Sequence, residues 1–474
     1  MIREMREKLK MRRDPYRPSL HLTPAQGWIN DPNGFIYFGG QYHVFAQYYD
    51  AKPEWGPMMW LHCTSPDMMT FTRLPDALYP SEDYDYEKGC FSGSAIERDG
   101  KMYLMYTGNS HSDMQTQCLA SSSDGIHFEK YAFNPVIDGG DLPAGYSPKD
   151  FRDPCVFERE GSYYVLLASR RDDVHYSILM YRSSDLVDWT FVGVTLECEA
   201  VGCDLLECPN LAHVDGKDVL LVSGKCATVE YPNSQNCIWG LIGHLDLETG
   251  HFEVESKRRL DLGFDSYATH MVKTPDGRTL MVAWMSAWGS TYPTQKYGWC
   301  GQFSLPREVS IRDGQLVLNP ARELFPHECQ LADSVTNLKE AKKLLAAHCG
   351  HFLDVTLTVD MAAEGASINL GNGADRLVLK LEKDHLVIDR SHSGIEIQTV
   401  TRKDDLIRYI PLAAGQSQLK LRVIADASLV EIFADDGRAD ACVRIYPHKV
   451  DYNIELEGFN HGQIELDRLA VLKA

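Results

Sequence analysis

Five copies of one short pattern occupy the first two thirds of the chain and leave few architectures open to it. Each copy has a pair of apolar residues, a tight turn with glycine, and a strand in which aromatic and aliphatic residues alternate. The copies are Phe35–Tyr48, Ala95–Gly108, Cys155–Ser169, Leu211–Gly224 and Met271–Met285. Their turn glycines, Gly40, Gly100, Gly161, Gly216 and Gly277, are spaced 60, 61, 55 and 61 residues apart.

A second motif follows three of the copies in phase. It reads SPDMMTF at Ser65–Phe71, SSDGIHF at Ser122–Phe128 and SSDLVDW at Ser183–Trp189, and we expect it to be a later turn and strand of the same unit. Units of several strands repeated at this length are typical of a β-propeller, and five units predict five blades. The alternative, a series of unrelated hairpins with glycine turns, does not explain near-equal spacings with a second motif in phase.

The periodicity ends after Leu305–Glu308. Residues 320–347 are more polar and partly helical, which is typical of a connector. From His348 the alternation of apolar and polar residues resumes without the repeat, and this favours a two-sheet β-sandwich. The prediction is therefore an all-β protein with four parts: a basic N-terminal extension (1–20), a five-bladed β-propeller (21–325), a linker (326–347) and a C-terminal β-sandwich (348–474).

Charge and composition exclude several classes of partner. The net charge of −20 argues against nucleic acid or an anionic membrane, both of which attract basic surfaces. The basic start of the chain has no apolar run behind it, as a secretory signal requires, and no apolar stretch is long enough to span a bilayer. The 13 cysteines include no C-x-x-C pair and no zinc-binding spacing, which favours reduced thiols. We expect a cytoplasmic protein without metal or cofactor. The sequence does not decide the oligomeric state, and a homo-oligomer is one of the open alternatives.

Acidic residues recur at one position of the repeat. Asp31, Asp153 and Glu207 precede the apolar pair in three copies, 9, 8 and 9 residues before the turn glycine. The first strand of each propeller blade lines the central axis, so equivalent positions should face one funnel. The second and fifth copies have Phe91–Ser92 and Tyr267 at this position, and aromatic and hydroxyl groups suit a carbohydrate.

Each acidic residue also has a purely structural role open to it. The DPNG segment that starts at Asp31 is a good turn sequence, Arg152 and Asp153 are suited to an ion pair, and Glu207 is suited to a strand end. Their common phase in the repeat favours a shared site instead. Converging carboxylates without a metal-binding motif are typical of glycoside hydrolysis. We expect Arg152 to keep the neighbouring Asp153 ionised.

Several motifs then resemble one enzyme family. These motifs are WINDPNG at Trp28–Gly34, FSGS at Phe91–Ser94, FRDP at Phe151–Pro154 and ECP at Glu207–Pro209. Together they resemble glycoside hydrolase family 32, which includes invertases, sucrose-6-phosphate hydrolases and fructan hydrolases. Further matches are WGPMMW at Trp55–Trp60, GFDSYAT at Gly263–Thr269, AWM at Ala283–Met285 and LPRE at Leu305–Glu308. A weaker likeness continues in the tail at Asp426, Ser428, Glu431 and Phe433.

The resemblance implies a propeller with a C-terminal sandwich and a hydrolase that retains anomeric configuration. It implies that Asp31 is the nucleophile, Glu207 the general acid and base, and Asp153 the transition-state stabiliser. It also implies a fructose pocket lined by Asn30, Gln47, Trp55, Phe91, Ser92, Arg152 and Trp284.

The implied reaction releases fructose from the non-reducing β-D-fructofuranosyl end of sucrose or sucrose 6-phosphate. The alternatives are exo-hydrolysis of fructo-oligosaccharides or fructan, transfructosylation, and a sugar-binding propeller without activity. The last is disfavoured because all three carboxylates are present. The chain departs from the family in FAQYYD around Gln47 and in ECPN at Glu207–Asn210, so substrate preference stays open. We expect the sandwich to support the propeller.

Overall fold

Five antiparallel sheets form the blades of a propeller, and two further sheets form a sandwich after it. The computed structural model describes residues 14–172, 175–225, 236–348, 350–399 and 406–473. The predicted all-β architecture, a five-bladed β-propeller followed by a β-sandwich, is confirmed. Residues 1–13 of the predicted basic extension lie outside the described residues. No helix in the described ranges is both long and apolar enough to cross a membrane.

Each blade contains four strands in chain order, numbered here from the axis outward; in blade 5 two short strands of other sheets intervene between the second and the third. Blade 1 comprises Gly27–Phe38, Gln41–Tyr49, Met59–Ser65 and Thr72–Arg73, and blade 2 comprises Gly89–Arg98, Lys101–Asn109, Gln115–Ser122 and Glu129–Lys130. Blade 3 comprises Phe151–Arg159, Ser162–Arg170, Tyr176–Ser183 and Trp189–Glu197, and blade 4 comprises Leu205–Val214, Lys217–Lys225, Asn236–Leu245 and Phe252–Leu260. Blade 5 comprises Tyr267–Lys273, Thr279–Trp284, Arg307–Arg312 and Gln315–Pro320.

The repeated glycines lie in the hairpins between the first and second strands of the blades. All five have positive φ, between 73° and 88°. Glycine adopts this conformation without steric cost, and positive φ is what a tight hairpin turn requires.

The second motif forms the same kind of turn in each of three blades. In blades 1 to 3 its aspartate, Asp67, Asp124 or Asp185, accepts backbone N–H groups two and three residues later, in the turn before the fourth strand.

The first strands of successive blades contact one another around the axis, and blade 1 contacts blade 5 to close the ring. The short strand Trp299–Cys300 pairs in parallel with Gly27 and Trp28 of blade 1. Inner strands are buried on both faces because neighbouring blades cover them. Val219–Val222 of blade 4, for example, is completely buried. This packing holds the ends of the five first strands together on one face.

The second domain consists of a six-stranded and a five-stranded sheet packed face to face. The first sheet has the order Glu328–Val335, Ile464–Leu472, Phe352–Asp360, Gln418–Asp426, Leu429–Ala434 and Ala439–Arg444. The second has the order Ile407–Pro411, His385–His392, Asp375–Leu381, Ser367–Asn372 and Asn453–Glu457. A small additional sheet joins Ser290–Thr291 to Gln398–Thr399. Short 3₁₀ helices span Cys198–Ala200, Pro293–Tyr297, Arg322–His327 and Met361–Ala363.

The segment 326–347 is more than the expected linker. Its strand Glu328–Val335 pairs with the last strand of the chain and forms an edge of the six-stranded sheet. Its α-helix, Leu338–Ala347, is capped by Asn337, whose side chain accepts the N–H of Glu340. Ala341 and Leu345, four residues apart on one helix face, are buried in the core of the sandwich. These residues therefore pack as part of the second domain.

A buried layer of charged groups joins the two domains. Arg307 of the propeller donates to Glu431 and to Asp440 of the sandwich, at 2.7 Å each. His21 lies 2.8 Å from Asp426 and 3.0 Å from Glu431. Burial alone would lower the pKa of His21, but the hydrogen bonds to the two carboxylates outweigh it and raise the pKa to about 9. The layer therefore contains charged partners on both sides and holds the sandwich against the propeller.

Replacing Arg307 should destabilise the protein strongly. Its side chain is 1% exposed, so Arg307→Met leaves Glu431 and Asp440 buried with too little positive charge. Breaking a buried ion pair on one side costs about 3–5 kcal/mol, and we expect a fall in Tm on the order of 10 °C. Arg322→Ala is the matched control, because its ion pair with Glu308 is solvent-exposed and worth about 1 kcal/mol at most. Similar shifts for both variants in thermal unfolding would contradict this role of Arg307.

Candidate active site

A β-bulge interrupts the first strand of every blade at an equivalent level. The pairing with the second strand shifts at residues 30–31, 91–92, 153–154, 208–209 and 268. Asp153, Cys208 and Ala268 have positive φ at these bulges, 62°, 49° and 44°. A bulge bends its strand and re-aims the side chains beside it. The bulges thus bring side chains from all five blades to the axis.

Asp31 lies at the bulge of blade 1, in contact with blade 2. Its carboxylate accepts a hydrogen bond from Ser92 Oγ at 2.5 Å and another from Asn30 Nδ2 at 3.1 Å. Trp28 Nε1 in turn donates to Asn30 Oδ1 at 2.9 Å, which orients the amide. Burial raises the pKa of Asp31, the hydrogen bonds from Ser92 and Asn30 oppose this effect, and the charge of Glu207 raises the pKa further. Asp31 is therefore held in one orientation by groups that stabilise its ionised form.

Asp153 is tied to blade 4 through Cys208. The backbone N–H of Cys208 donates to Asp153 Oδ2 at 2.9 Å, and the Cys208 thiol lies 3.5 Å from the same oxygen. The thiol also lies 3.6 Å from Asp31 Oδ2, so it connects two carboxylates of different blades. Burial raises the pKa of Asp153 to about 7; Arg152 lowers it, and the charges of Glu207 and Asp31 raise it.

Ligating atoms of Asp31, Asp153 and Cys208 lie within 4.8 Å of one another, close enough for three donors to a metal ion. A cysteine binds metal as the thiolate. Burial and the neighbouring carboxylates raise the pKa of Cys208 well above its usual range, so its sulfur stays protonated and acts as a hydrogen-bond donor. In this structure the thiol donates to a carboxylate oxygen of Asp31 and to one of Asp153.

Glu207 lies beside the bulge of blade 4 and is held from two sides. Arg152 Nη2 donates to Glu207 Oε1 at 2.9 Å, and the hydroxyl of Tyr267 donates to Glu207 Oε2. A second nitrogen of Arg152 donates to Asp150 at 2.9 Å. Tyr267, the blade 5 residue at the equivalent position of the repeat, thus belongs to the site, although the sequence prediction did not count it among the site residues.

The expectation that Arg152 keeps Asp153 ionised is corrected. Neighbouring residues of a strand point in different directions, so the Arg152 guanidinium reaches Glu207 of blade 4 and does not bond Asp153. Its charge lowers the pKa of Asp153, but burial outweighs this effect.

Aromatic side chains surround the carboxylates. Trp55, which is 45% exposed, packs edge-on against Phe91 with ring centroids 6.1 Å apart, and Trp60 Nε1 donates to the Phe91 carbonyl at 3.0 Å. Gln47 is buried and donates to the carbonyl of Cys90 at 2.8 Å, so it anchors the strand that contains Phe91.

Trp284 is buried at the end of the second strand of blade 5. Its ring centroid lies 5.0 Å from that of Trp288 and 5.7 Å from that of Trp28. Trp28 was missed as a site residue by the sequence prediction, although it begins the WINDPNG motif. The indole group orients Asn30 and, through it, Asp31.

The axis is closed beneath the carboxylates. The space lined by Asp153, Cys208 and His270 there has a volume of only 10 Å³, which is far smaller than a sugar ring requires. A sugar ring therefore does not fit on this side of the carboxylates, and the carboxylates with the side chains around them are called the funnel below.

Asp153→Asn should stabilise the fold, more at pH 8 than at pH 5. The pKa of about 7 in the folded protein lies above the value of about 3.9 for an unfolded aspartate. The folded state therefore binds the proton more tightly, and ionisation of Asp153 lowers stability as the pH rises from about 4 to about 7. Asparagine removes this effect and still accepts the N–H of Cys208. Thermal unfolding at both pH values checks this, and an equal or larger gain in Tm at pH 5 would contradict it.

Comparison with known proteins agrees with this architecture over most of the chain. Residues 21–320 match the glycosyl hydrolases family 32 N-terminal domain, and residues 327–473 match the family 32 C-terminal domain. The chain is 33% identical to a sucrose-6-phosphate hydrolase of Escherichia coli, over 96% of this chain and 94% of that protein. It is 34% identical to a raffinose invertase of Escherichia coli, over 93% and 92% of the two chains. A solved sucrose-6-phosphate hydrolase from Lactobacillus gasseri superposes with a TM-score of 0.83 at 30% identity, over 97% of this chain and 94% of that one. With its propeller, its sandwich and both domain matches in order, the chain belongs to glycosyl hydrolase family 32.

Proposed function

We propose that the protein is a retaining β-fructofuranosidase that releases fructose from sucrose or sucrose 6-phosphate. The observation that supports this most is the convergence of Asp31, Asp153 and Glu207 on the floor of one funnel, each from the innermost strand of a different blade. The names of the similar proteins, sucrose-6-phosphate hydrolase and raffinose invertase, point to the same chemistry.

Asp31 is proposed as the nucleophile. A nucleophilic carboxylate must be ionised and fixed in direction, and the hydrogen bonds from Ser92 and Asn30 serve both needs. In the first step an oxygen of Asp31 forms a bond to the anomeric carbon C2 of the fructosyl unit. The bond from C2 to the glycosidic oxygen breaks, and its electron pair stays on that oxygen.

Glu207 is proposed as the acid and then the base. It gives its proton to the departing glycosidic oxygen, so glucose or glucose 6-phosphate leaves as a neutral hydroxyl compound at that position. In the second step Glu207 takes a proton from water while the water oxygen bonds to C2, and the bond between C2 and Asp31 breaks. Arg152 and Tyr267 position the Glu207 carboxyl group for both transfers.

Asp153 is proposed to bind hydroxyls of the fructosyl unit and to stabilise the positive charge that develops on it. Its buried carboxyl group is held by the N–H of Cys208, and Arg152 lies at the adjacent position of the strand. Asn30, Trp55 and Phe91 complete the proposed fructose pocket, with Gln47 and Trp284 packed behind the strand ends.

A comparison of kcat/KM for sucrose, sucrose 6-phosphate, 1-kestose and inulin tests the substrate assignment. We expect the two disaccharides to be preferred by at least about tenfold over inulin, because similar proteins are named for the small sugars sucrose 6-phosphate and raffinose. Preference for inulin would overturn the assignment in favour of a fructan exo-hydrolase, and transfer of fructose to sugar acceptors in place of water would identify a transfructosylase. A phosphate ester does not cross a bilayer unaided, so preference for sucrose 6-phosphate would favour a cytoplasmic enzyme.

A further inference from the structure

A second cavity lies on the outer side of the propeller, where blades 4 and 5 meet the sandwich. Its volume is 520 Å³, within the range of sites that bind small molecules. Its walls come from the third and fourth strands of blade 4, the fourth strand of blade 5, and residues around Pro411 and Arg438 of the sandwich. The carboxylates of the funnel lie on the first strands, so the two sites are separate.

The walls of this outer cavity are cationic although the chain is strongly acidic. Four of the lining side chains are basic, Lys257, Arg258, Arg259 and Arg438, and among the described lining residues none is Asp or Glu. The net charge of the whole chain is −20. A local concentration of positive charge against that background attracts a small anion into the cavity.

Asp440 and Asp313, the carboxylates beside Arg258 and Arg438, do not line the cavity. Asp440 lies 3.4 Å from Arg258 and also accepts from Arg307 at 2.7 Å, and Arg307 has Glu431 as a second partner. Arg438 pairs with Asp313, whose side chain is 81% exposed, and an exposed pair is readily exchanged for another anion. The Arg258 side chain is only 18% exposed, and its Nε is buried without a hydrogen-bond partner among the described groups.

The cavity also offers a flat apolar surface and neutral polar groups. The ring of Trp239 forms part of the wall, with Lys257 Nζ 5.7 Å from its centroid. Ser256 and Gln315 add a hydroxyl and an amide. An indole face suits the apolar face of a sugar ring, and guanidinium and ammonium groups suit a phosphate.

We propose that this cavity is a binding site for a hexose phosphate, separate from the catalytic funnel. Lys257, Arg258 and Arg438 bind the phosphate group, and Trp239 packs against the sugar ring. The binding is independent of the hydrolytic reaction, because no wall residue belongs to the funnel.

Isothermal titration calorimetry of the full chain tests the proposal with glucose 6-phosphate, glucose and inorganic phosphate as ligands. We expect glucose 6-phosphate to bind at least about tenfold more tightly than either of the other two. The double variant Lys257→Ala, Arg438→Ala should weaken its binding by at least about tenfold, because two charge-assisted contacts are lost. Lys101→Ala, which removes an exposed lysine of blade 2, is the matched control and should change nothing.

Two further variants distinguish binding in the outer cavity from binding in the funnel and test the role of the indole ring. Asp31→Asn alters the funnel and should leave the binding of glucose 6-phosphate intact; loss of binding in this variant would place the ligand in the funnel and overturn the proposal. Trp239→Leu should weaken the binding of glucose 6-phosphate but leave the binding of inorganic phosphate unchanged. Equal affinity for glucose and glucose 6-phosphate, equal affinity for phosphate and glucose 6-phosphate, or full affinity in the folded double variant would each also overturn it.

Discussion

Asp31→Ala is expected to lower kcat for sucrose by about 10⁴-fold or more, since it removes the group that forms the covalent intermediate. The fold should persist, because within the described part of the chain the side-chain hydrogen bonds of Asp31 involve three residues, Ser92, Asn30 and Cys208. Release of fructose, followed together with thermal unfolding, measures both effects. Asp124→Asn, a change to an exposed turn of blade 2, is the control and should keep full activity.

Azide distinguishes loss of the nucleophile from a general disturbance of the site. A small anion can occupy the space that the Asp31 carboxylate leaves, attack C2 from that face and give the α-fructosyl azide, in which the configuration is inverted. Appearance of this product in Asp31→Ala would support the nucleophile assignment. Substantial hydrolysis of sucrose by a pure Asp31→Ala protein would contradict it.

Glu207→Gln is expected to lower kcat/KM for sucrose by about 10²–10⁴-fold, the usual contribution of a positioned acid. Glutamine keeps the size of the side chain. Its amide oxygen can accept from Arg152 while its NH2 group donates to the Tyr267 hydroxyl oxygen, so the geometry is retained while the transferable proton is lost. With an aryl fructofuranoside, whose leaving group needs no protonation, the rate of the first step should fall much less in this variant than it does with sucrose. The measurement is a comparison of both substrates in the variant and the wild type.

Tyr267→Phe is the matched control for this variant. It removes the hydroxyl that contacts Glu207 but keeps the acid, so we expect a smaller fall in kcat/KM for sucrose than in Glu207→Gln.

A further variant, Glu207→Ala, tests the second step. Azide should accelerate its turnover of the aryl substrate and give the β-fructosyl azide, because the second attack comes from the leaving-group face. Equal losses with sucrose and with the aryl substrate in Glu207→Gln would contradict the role as acid.

Much of the fold was predictable because its signals are local. A glycine between two alternating apolar runs, as at positions 40, 100, 161, 216 and 277, predicts a hairpin from neighbouring residues alone, and five near-equal spacings count the blades. The alternation after His348 likewise predicted the sandwich. The segment 326–347 was harder to predict, since the strand Glu328–Val335 acquires its partner only from the last strand, more than a hundred residues later.

The site was predictable in outline for the same reason. Asp31, Asp153 and Glu207 occupy one position of a repeat, and a propeller turns equal positions into neighbours. The repeat also placed Tyr267 at that position in the fifth copy, although its hydrogen bond to Glu207 was not predicted. The partner of Arg152 could not, since the nearest carboxylate in sequence is Asp153, whereas the guanidinium bonds Asp150 and, on blade 4, Glu207.

The sequence by itself thus determined the number of blades, the two-domain order and the set of carboxylates, because turn chemistry and repeat spacing act through neighbouring residues. Only the tertiary structure decided how the charges are shared: Arg152 with Glu207, Arg307 with Glu431 and Asp440, and a cationic cavity between blades 4 and 5. Ion pairing and burial depend on distances between residues that are far apart in the chain. Those distances are set by the bulges of the inner strands and by the docking of the sandwich.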